Sequence, residues 1–362
     1  MTNKFFSFLF CALALTLTNC SSDDDGPTGP IQIIVEGASI APEVGGPNQP
    51  NQVYIDLSTN TSTTIQRDSW DLAFYSGSNF RVGINGSIYM AAAQLSATDI
   101  NAVNSSTPEV VSLKPQVAVG TFQSESANYI DAPDGSITGT AIAEISSTDA
   151  NNHVYLLNLG FEVGTEPAAT GGVNTNGPAR GWKKIKVLRS GSDYVLQYAD
   201  LDATTFEEVT VSKNPDYNFT FFSFNTESIV SVEPQKANWD LNFTVFTNII
   251  EGYGAYGYAD FVANNTKGNA LVYMVDSEVE TTLTYDNFTL ADVVDANFTT
   301  DQRNIGASWR NGGGPGSLPT LKDNMFYIVN DTDGNLYKLK FLALTNQAGD
   351  RGYPEFVYSL LQ

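Results

Sequence analysis

The sequence predicts a mainly β protein made of two tandem antiparallel β domains with few short helices. Short runs of aromatic and β-branched residues alternate with Thr, Ser and Asn, for example at 217–224 and 326–329. Turn pairs such as Ser190-Gly191 and Asp333-Gly334 separate these runs. A third observation, a five-residue stretch that occurs twice, indicates that the β pattern is duplicated.

The repeated stretch is Trp70-Asp71-Leu72-Ala73-Phe74, and it returns as Trp239-Asp240-Leu241-Asn242-Phe243. Its alternation predicts a strand with Trp, Leu and Phe on one face. Each Trp is therefore predicted to anchor the core of its own repeat, because an indole buries much apolar area.

The surroundings of the repeated stretch recur in the same order. Aromatic or β-branched runs precede both copies, at 53–59 and at 221–226. When Gly191 is aligned with Gly334, three downstream positions match, namely Tyr194, Leu196 and Tyr198 with Tyr337, Leu339 and Phe341. Several matches in one order predict a tandem duplication.

Residues 1–19 are predicted to be a signal peptide, since their apolar core is too short for a transmembrane helix. Cys20 follows it directly and resembles the lipidated Cys of a bacterial lipobox. Ordinary cleavage that leaves a free Cys is the alternative. Cys11 lies in the removed segment, so the mature chain has one thiol and no disulfide.

The mature chain divides into a tether and two domains. Residues 20–30 are predicted to be a lipidated Cys followed by an acidic, Gly/Pro-containing tether. Residues 31–213 and 214–362 are predicted to be the first and second β domains, with the boundary near 213–216. Helical patterns occur at 96–103 and at 289–296, the second with Thr289 and Asp292 spaced as in a capping box.

The charge balance excludes one class of partner. The chain has 40 acidic and 18 basic residues, which gives a net charge of −22. Nucleic-acid binding depends on Lys and Arg that neutralise phosphates, so no nucleic acid is expected as a partner.

The chain contains an aromatic strand, then W-D-L-A-F, then residues 80–86. This order of segments resembles the HmuY family of Bacteroidetes lipoproteins. Residues 324–329, 333–335 and 340–341 are similar to the terminal hairpin of that family. The resemblance implies a β-rich outer-membrane lipoprotein that captures haem and passes it to an outer-membrane receptor. The acidic run after Cys20 resembles the surface-export signal of such lipoproteins. It implies a position on the cell exterior, with the lipid anchor as the only membrane contact.

If the ligand is haem, side chains of the protein are expected to coordinate the iron at its axial positions. The best-known family member uses two His, but this chain has one His in total, His153. Met is a suitable axial ligand, so the candidate ligands are Met90, Met274 and His153. Each has a plainer interpretation, because Met is a common core gap-filler and His153 begins a strand. No metal other than haem iron is expected.

Gly and Tyr alternate at 252–258, and Tyr253, Tyr256 and Tyr258 are candidates for stacking on haem, another small planar ligand or a glycan. The alternative is an edge strand in which Gly allows close backbone approach.

No nucleophile-elbow motif is present, so no enzyme activity is expected. The predicted function is haem binding at the cell surface. A non-catalytic protein- or glycan-binding or structural lipoprotein is the alternative.

Overall fold

Antiparallel strands make up most of this computed structural model, which describes residues 34–313 and 318–362. The prediction of a mainly β fold is confirmed. The signal peptide, Cys20 and the tether lie outside the described residues. The strands are β1 (Gly37–Ile40), β2 (Asn51–Asp56), β3 (Thr61–Gln66), β4 (Leu72–Tyr75), β5 (Val82–Ile84), β6 (Ala91–Gln94), β7 (Val154–Asn158), β8 (Phe161–Val163), β9 (Asn176–Ala179), β10 (Trp182–Ser190), β11 (Asp193–Asp200), β12 (Glu207–Val211), β13 (Phe219–Ser223), β14 (Ser228–Val230), β15 (Leu241–Ile250), β16 (Gly254–Asn264), β17 (Leu271–Asp276), β18 (Arg310–Asn311), β19 (Thr320–Leu321), β20 (Met325–Asn330), β21 (Leu336–Thr345) and β22 (Arg351–Leu360).

Helical structure is limited to short pieces. One α-helix, α1 (Pro108–Leu113), has Pro at its start, where a missing N–H costs nothing. Within the described residues, no helix is long and apolar enough to cross a bilayer. The remaining pieces are 3₁₀ turns at Gly46–Asn48, Gly86–Ile88, Ile100–Ala102, Ser124–Tyr129, Ile137–Gly139, Asp149–Asn151, Thr266–Gly268, Leu290–Asp292 and Asp295–Asn297.

The two helical patterns of the sequence form single turns only. Residues 96–103 contain the 3₁₀ turn Ile100–Ala102, and residues 289–296 contain Leu290–Asp292 and Asp295–Asn297. The capping box is confirmed, since the Asp292 carboxylate accepts the Thr289 N–H at 2.9 Å. A cap alone does not extend a helix, because nucleation is costly and few apolar residues follow at helical spacing.

Three of the four main sheets combine strands from both sequence repeats. Two five-stranded sheets have the orders β12-β11-β10-β7-β6 and β1-β22-β21-β20-β17. Two four-stranded sheets have the orders β14-β13-β4-β5 and β16-β15-β2-β3. Hence β1, β2 and β3, which begin the first repeat, complete sheets of the second. The strands β13 and β14, which begin the second repeat, complete a sheet of the first.

This exchange divides the β structure into two lobes. The first lobe is continuous in sequence and contains β4 to β14. The second lobe combines β1 to β3 with β15 to β22. The hydrophobic cores follow the lobes, since one core draws its residues from 72–224 and the other from 44–57 and 241–358. The predicted repeat boundary near 213–216 falls between β12 and β13, inside the first lobe.

Sheet positions also correct one detail of the sequence alignment. Strands β6 and β17 are equivalent edge strands, and their partners are β7 and β20. The hairpin β10–β11 therefore occupies the place of β21–β22, and the alignment of Gly191 with Gly334 does not join structurally equivalent turns. Alternating aromatic strands resemble one another locally, so three matched residues did not fix the correct pairing.

Candidate functional site

Trp70 and Trp239 have matching surroundings. Each indole packs edge-to-face against an aromatic ring of an exchanged strand. The ring centres of Trp70 and Phe221 lie 5.0 Å apart at 77°, and those of Trp239 and Tyr54 lie 5.0 Å apart at 82°. The equal geometry follows from equivalent strand registers, in which Leu72 faces Phe222 and Leu241 faces Ile55.

The Asp after each Trp holds the exchanged strand in place. The backbone N–H of Asp71 donates to Phe222 O at 2.8 Å, and that of Asp240 donates to Ile55 O at 2.7 Å. Their carboxylates accept further along the same strands, from Phe224 N at 2.6 Å and Leu57 N at 2.8 Å. The Trp-Asp pair is thus a clamp on a strand from the other repeat.

The sequence prediction for the faces of the repeated stretch is wrong. Leu72 and Phe74 point into the first core, whereas Trp70 packs with Ala73 and Trp239 in a separate cluster. The strand begins only at Leu72, so Trp70 lies outside the pleat that would align it with Leu72 and Phe74. Both indoles consequently share one cluster where the lobes meet, and neither anchors a core of its own repeat.

A cavity of about 220 Å³ lies at this junction, and both indoles line it. An apolar cavity of about 150 Å³ accepts a benzene molecule, so this one has room for one or two rings. Its aromatic wall consists of Tyr54, Trp70, Phe219, Phe221, Trp239 and Phe246, and its polar lining includes Gln52, Ser87, Asp131, Glu233, Asn242, Thr244, Asn264, Lys267 and Gln302.

One part of the cavity lining carries ionisable groups. The Lys267 ammonium donates to Gly135 O at 3.0 Å and lies 5.5 Å from the centre of the Phe219 ring. Burial lowers the pKa of Lys267. Burial raises the pKa of Asp131 to about 6 and that of Glu233 to about 7, although both carboxylates accept backbone N–H groups.

Three buried polar atoms of residues that line the cavity have no partner among the described residues. They are Trp239 Nε1, Asn242 Oδ1 and Asn264 Oδ1. The equivalent Trp70 Nε1 does have one, since it donates to Gln52 Oε1 at 2.9 Å. The strand register makes Phe219 the residue of the other repeat that is equivalent to Gln52. The unpartnered indole therefore results from a difference between the repeats.

The structure separates the three candidate haem ligands. Met90 is fully buried in the first core and lines the cavity. Met90 precedes β6, whereas His153 lies at the far end of that strand, where its Nδ1 is 2.9 Å from Leu95 O. About 17 Å along the strand therefore separates Met90 from His153. Met274 is 42% exposed on β17, in the second lobe. In the described part of the chain, no three His, Cys, Asp or Glu residues are grouped as metal ligands.

The candidate tyrosines lie on the β15–β16 hairpin, away from the cavity lining. Tyr253 and Tyr256 are exposed, and Tyr258 is half-buried. The ring of Tyr256 lies 5.6 Å from both Tyr258 and Phe122. Phe122 is exposed and was missed by sequence reasoning, because it comes from a loop without a recognisable pattern. Together they form an aromatic surface, defined as Phe122, Tyr253, Tyr256 and Tyr258.

Buried carboxyl groups should make the protein less stable as the pH rises. Burial raises the pKa of Asp131 to about 6 and the pKa of Glu233 and Asp240 to about 7. The unfolded chain then ionises first, so the free energy of unfolding falls between about pH 4 and pH 7. Urea unfolding should give a value a few kcal/mol lower at pH 8 than at pH 5. The variant Glu233→Gln should reduce this difference, and equal stability at both pH values would contradict the assignment.

The fold and the cavity define a β-rich protein of two interlocked repeats with an aromatic-lined cavity at their junction. The family profile described as HmuY protein matches residues 48–211 and 215–358. The chain therefore belongs to the HmuY family, and the predicted duplication is confirmed.

Solved structures with similarity to this chain include two bacterial proteins. Apo PinO from Porphyromonas gingivitis is 17% identical, with 50% of this chain and 95% of that chain covered and a TM-score of 0.22. The apo HmuY analog of Tannerella forsythia is 10% identical, with 91% and 98% covered and a TM-score of 0.25. No curated protein matches the sequence.

Proposed function

We propose that this HmuY-family protein is a non-catalytic binding lipoprotein that holds a planar ligand in the cavity between its lobes. The observation that carries the proposal is the cavity wall, in which two indoles and further aromatic rings surround a space of about 220 Å³. Aromatic walls stack on flat ligands, and a few polar groups then fix the orientation of the ligand.

Haem is the first ligand to test, because the family resemblance implies it. Of the three candidate axial ligands, only Met90 lines the cavity. A space for one or two rings admits one edge of a four-pyrrole macrocycle, and the rest would extend outward. We propose that the protein is anchored to the outer membrane by a lipid on Cys20, faces the cell exterior and passes haem to an outer-membrane receptor.

Binding of protein or glycan through the aromatic surface is the second candidate function. Tyr253 is 58% exposed and Phe122 is 61% exposed, so two large rings of this surface meet solvent. Exposed aromatic groups of this kind mark interaction sites. Here the ligand would stack on the hairpin and leave the cavity unchanged.

A haem titration tests the proposal. Haem should quench Trp emission at a 1:1 ratio, because two of the four Trp residues line the cavity. The variant Met90→Leu keeps the buried volume and removes the sulfur, so it should shift the Soret band. The matched variant Met274→Leu should not. Quenching that is lost in Tyr253→Ala and Tyr256→Ala, but not in Trp239→Phe, would place the ligand on the aromatic surface.

A further inference from the structure

We infer that residues 132–139 form a lid over the cavity, which swings away from the second lobe to admit the ligand. This inference rests on the proposed function as far as the ligand is concerned. It depends on the spaces that lie on the two sides of the segment, on where the segment is fixed, and on what fastens its tip.

The segment forms a thin wall between two spaces. On one side lies the cavity of about 220 Å³, and on the other lies a surface groove of about 490 Å³. The residues that line both spaces are Gly135, Ser136, Ile137 and Lys267. A single layer of residues therefore separates the cavity from the groove, and outward movement of the lid would join the two spaces.

The base of the lid is fixed to the first lobe. Asp131 directly precedes the lid, and its carboxylate accepts from Ile84 N and Ala141 N, each at 2.8 Å. The N–H of Ala132 donates to Gly139 O at 2.7 Å, which closes the loop at its base. The two ends of the lid are thus held together on β5, and movement is confined to the residues between them.

The middle of the lid has no apolar anchor. Ile130 and Ile142 flank the lid, and both are buried in hydrophobic clusters. Among the described residues, none between 131 and 140 belongs to such a cluster. Segments with few buried apolar contacts open at a lower free energy than the core around them. The lid can therefore move while both lobes stay folded.

Three hydrogen bonds between described residues fasten the tip of the lid to the second lobe. Gln302 Nε2 donates to Pro133 O, and Gln302 N donates to Asp134 O, each at 3.0 Å. The Lys267 ammonium donates to Gly135 O, also at 3.0 Å. Each bond has a modest net worth, so this latch is the weakest connection between the lid and the rest of the protein.

Opening of the lid accounts for the size of the proposed ligand. The closed cavity has room for one edge of a four-pyrrole macrocycle, and an open lid would give the remainder the space of the groove. If only the open form binds, the apparent affinity is reduced by the fraction of open molecules. A variant that weakens the latch should therefore bind haem more tightly than the parent protein.

Gln302→Ala removes one of the three latch bonds and tests the inference in the full chain. Stopped-flow Trp quenching should show haem to associate about two- to tenfold faster and to bind tighter by the same factor, the worth of one hydrogen bond. Gln302→Glu places an acceptor opposite the Pro133 carbonyl, so its effect should be larger. Asn304→Ala is the matched control and should change nothing, because Asn304 Nδ2 donates to Thr299 Oγ1 at 2.9 Å.

Hydrogen exchange in the absence of haem tests the lid separately. The amide of residue 302 donates to Asp134 O across the latch, whereas the amide of Asn264 donates to Gln302 O at 3.1 Å within the second lobe. In Gln302→Ala the amide of residue 302 should exchange about two- to tenfold faster than in the parent. The amide of Asn264 should exchange at the parent rate.

The outcomes separate this inference from the proposed function. An unchanged exchange rate at residue 302, or equal acceleration at residues 302 and 264, would overturn the lid. Weaker or slower haem binding by Gln302→Ala would also overturn it, since Gln302 would then support the ligand and not the latch. If haem quenches neither the parent nor the variants, the proposed function fails, and hydrogen exchange still decides on the lid. Thermal unfolding by circular dichroism checks that each variant is folded.

Discussion

A fragment of residues 70–233 is expected to fold by itself, whereas a fragment of residues 34–213 is expected to remain unfolded or to aggregate. The first fragment contains the complete first lobe, β4 to β14, with its two main sheets and its core. The second follows the sequence repeat, and it keeps β1 without β22 and the β2–β3 hairpin without β15. It also removes β13 and β14 from β4, which leaves an apolar sheet edge unpaired.

Circular dichroism, urea unfolding and size-exclusion chromatography of both fragments measure this difference. We expect a cooperative transition and a monomeric elution volume for residues 70–233 only. The matched comparison is informative because the fragments have similar lengths and share β4 to β12. A stable monomer from residues 34–213, together with an unfolded 70–233, would contradict the exchange of strands between repeats.

Replacing Asp71 by Asn should lower the free energy of unfolding by about 3–5 kcal/mol, the usual loss when one partner of a buried ion pair is removed. Arg180 Nη1 lies 2.6 Å from Asp71 Oδ1, and the exposed fractions of the two side chains are 3% and 0%. The change leaves the buried guanidinium with one charged partner in the described residues, the 46% exposed Glu162 side chain, whose Oε1 lies 3.6 Å from Arg180 Nε. It also weakens the clamp on the exchanged strand, where Phe224 N donates to Asp71.

Asp240→Asn is the matched control, because Asp240 occupies the same place in the other repeat. Its carboxylate accepts from Leu57 N and Thr332 N, each at 2.8 Å, and no cation stands within ion-pair distance of it in the described residues. Only hydrogen bonds are affected, so the expected loss is about 1–3 kcal/mol. Urea unfolding of both variants at pH 7 gives the comparison. Equal losses would show that the Arg180 ion pair does not distinguish the two clamps.

The sequence allowed much of the local structure to be predicted. The β class, the turns at Ser190-Gly191 and Asp333-Gly334 and the capping box at Thr289 depend on neighbouring residues, and all three are present in the structure. The exchange of strands could not be predicted. Asp71 binds backbone groups, and a strand from either repeat offers the same N–H and C=O groups. The local pattern therefore does not indicate which strand pairs with the segment that contains Asp71.

The candidate site was less accessible to sequence reasoning. The sequence singled out both indoles as core anchors, and the structure places them in the cavity wall. Asp131, Glu233 and Lys267 were missed because they lie on separate segments that only the fold brings together. One signal was present, the replacement of Gln52 by Phe219 between the repeats. Recognising it required the strand register, which the structure supplies.

A crystal structure with haem bound tests the central claim most directly, namely that the cavity between the interlocked lobes is the binding site. The expected result is density for one edge of the macrocycle in the cavity that Trp70 and Trp239 line. Density on the aromatic surface at Tyr253 and Phe122, with only ordered water in the cavity, would contradict the claim.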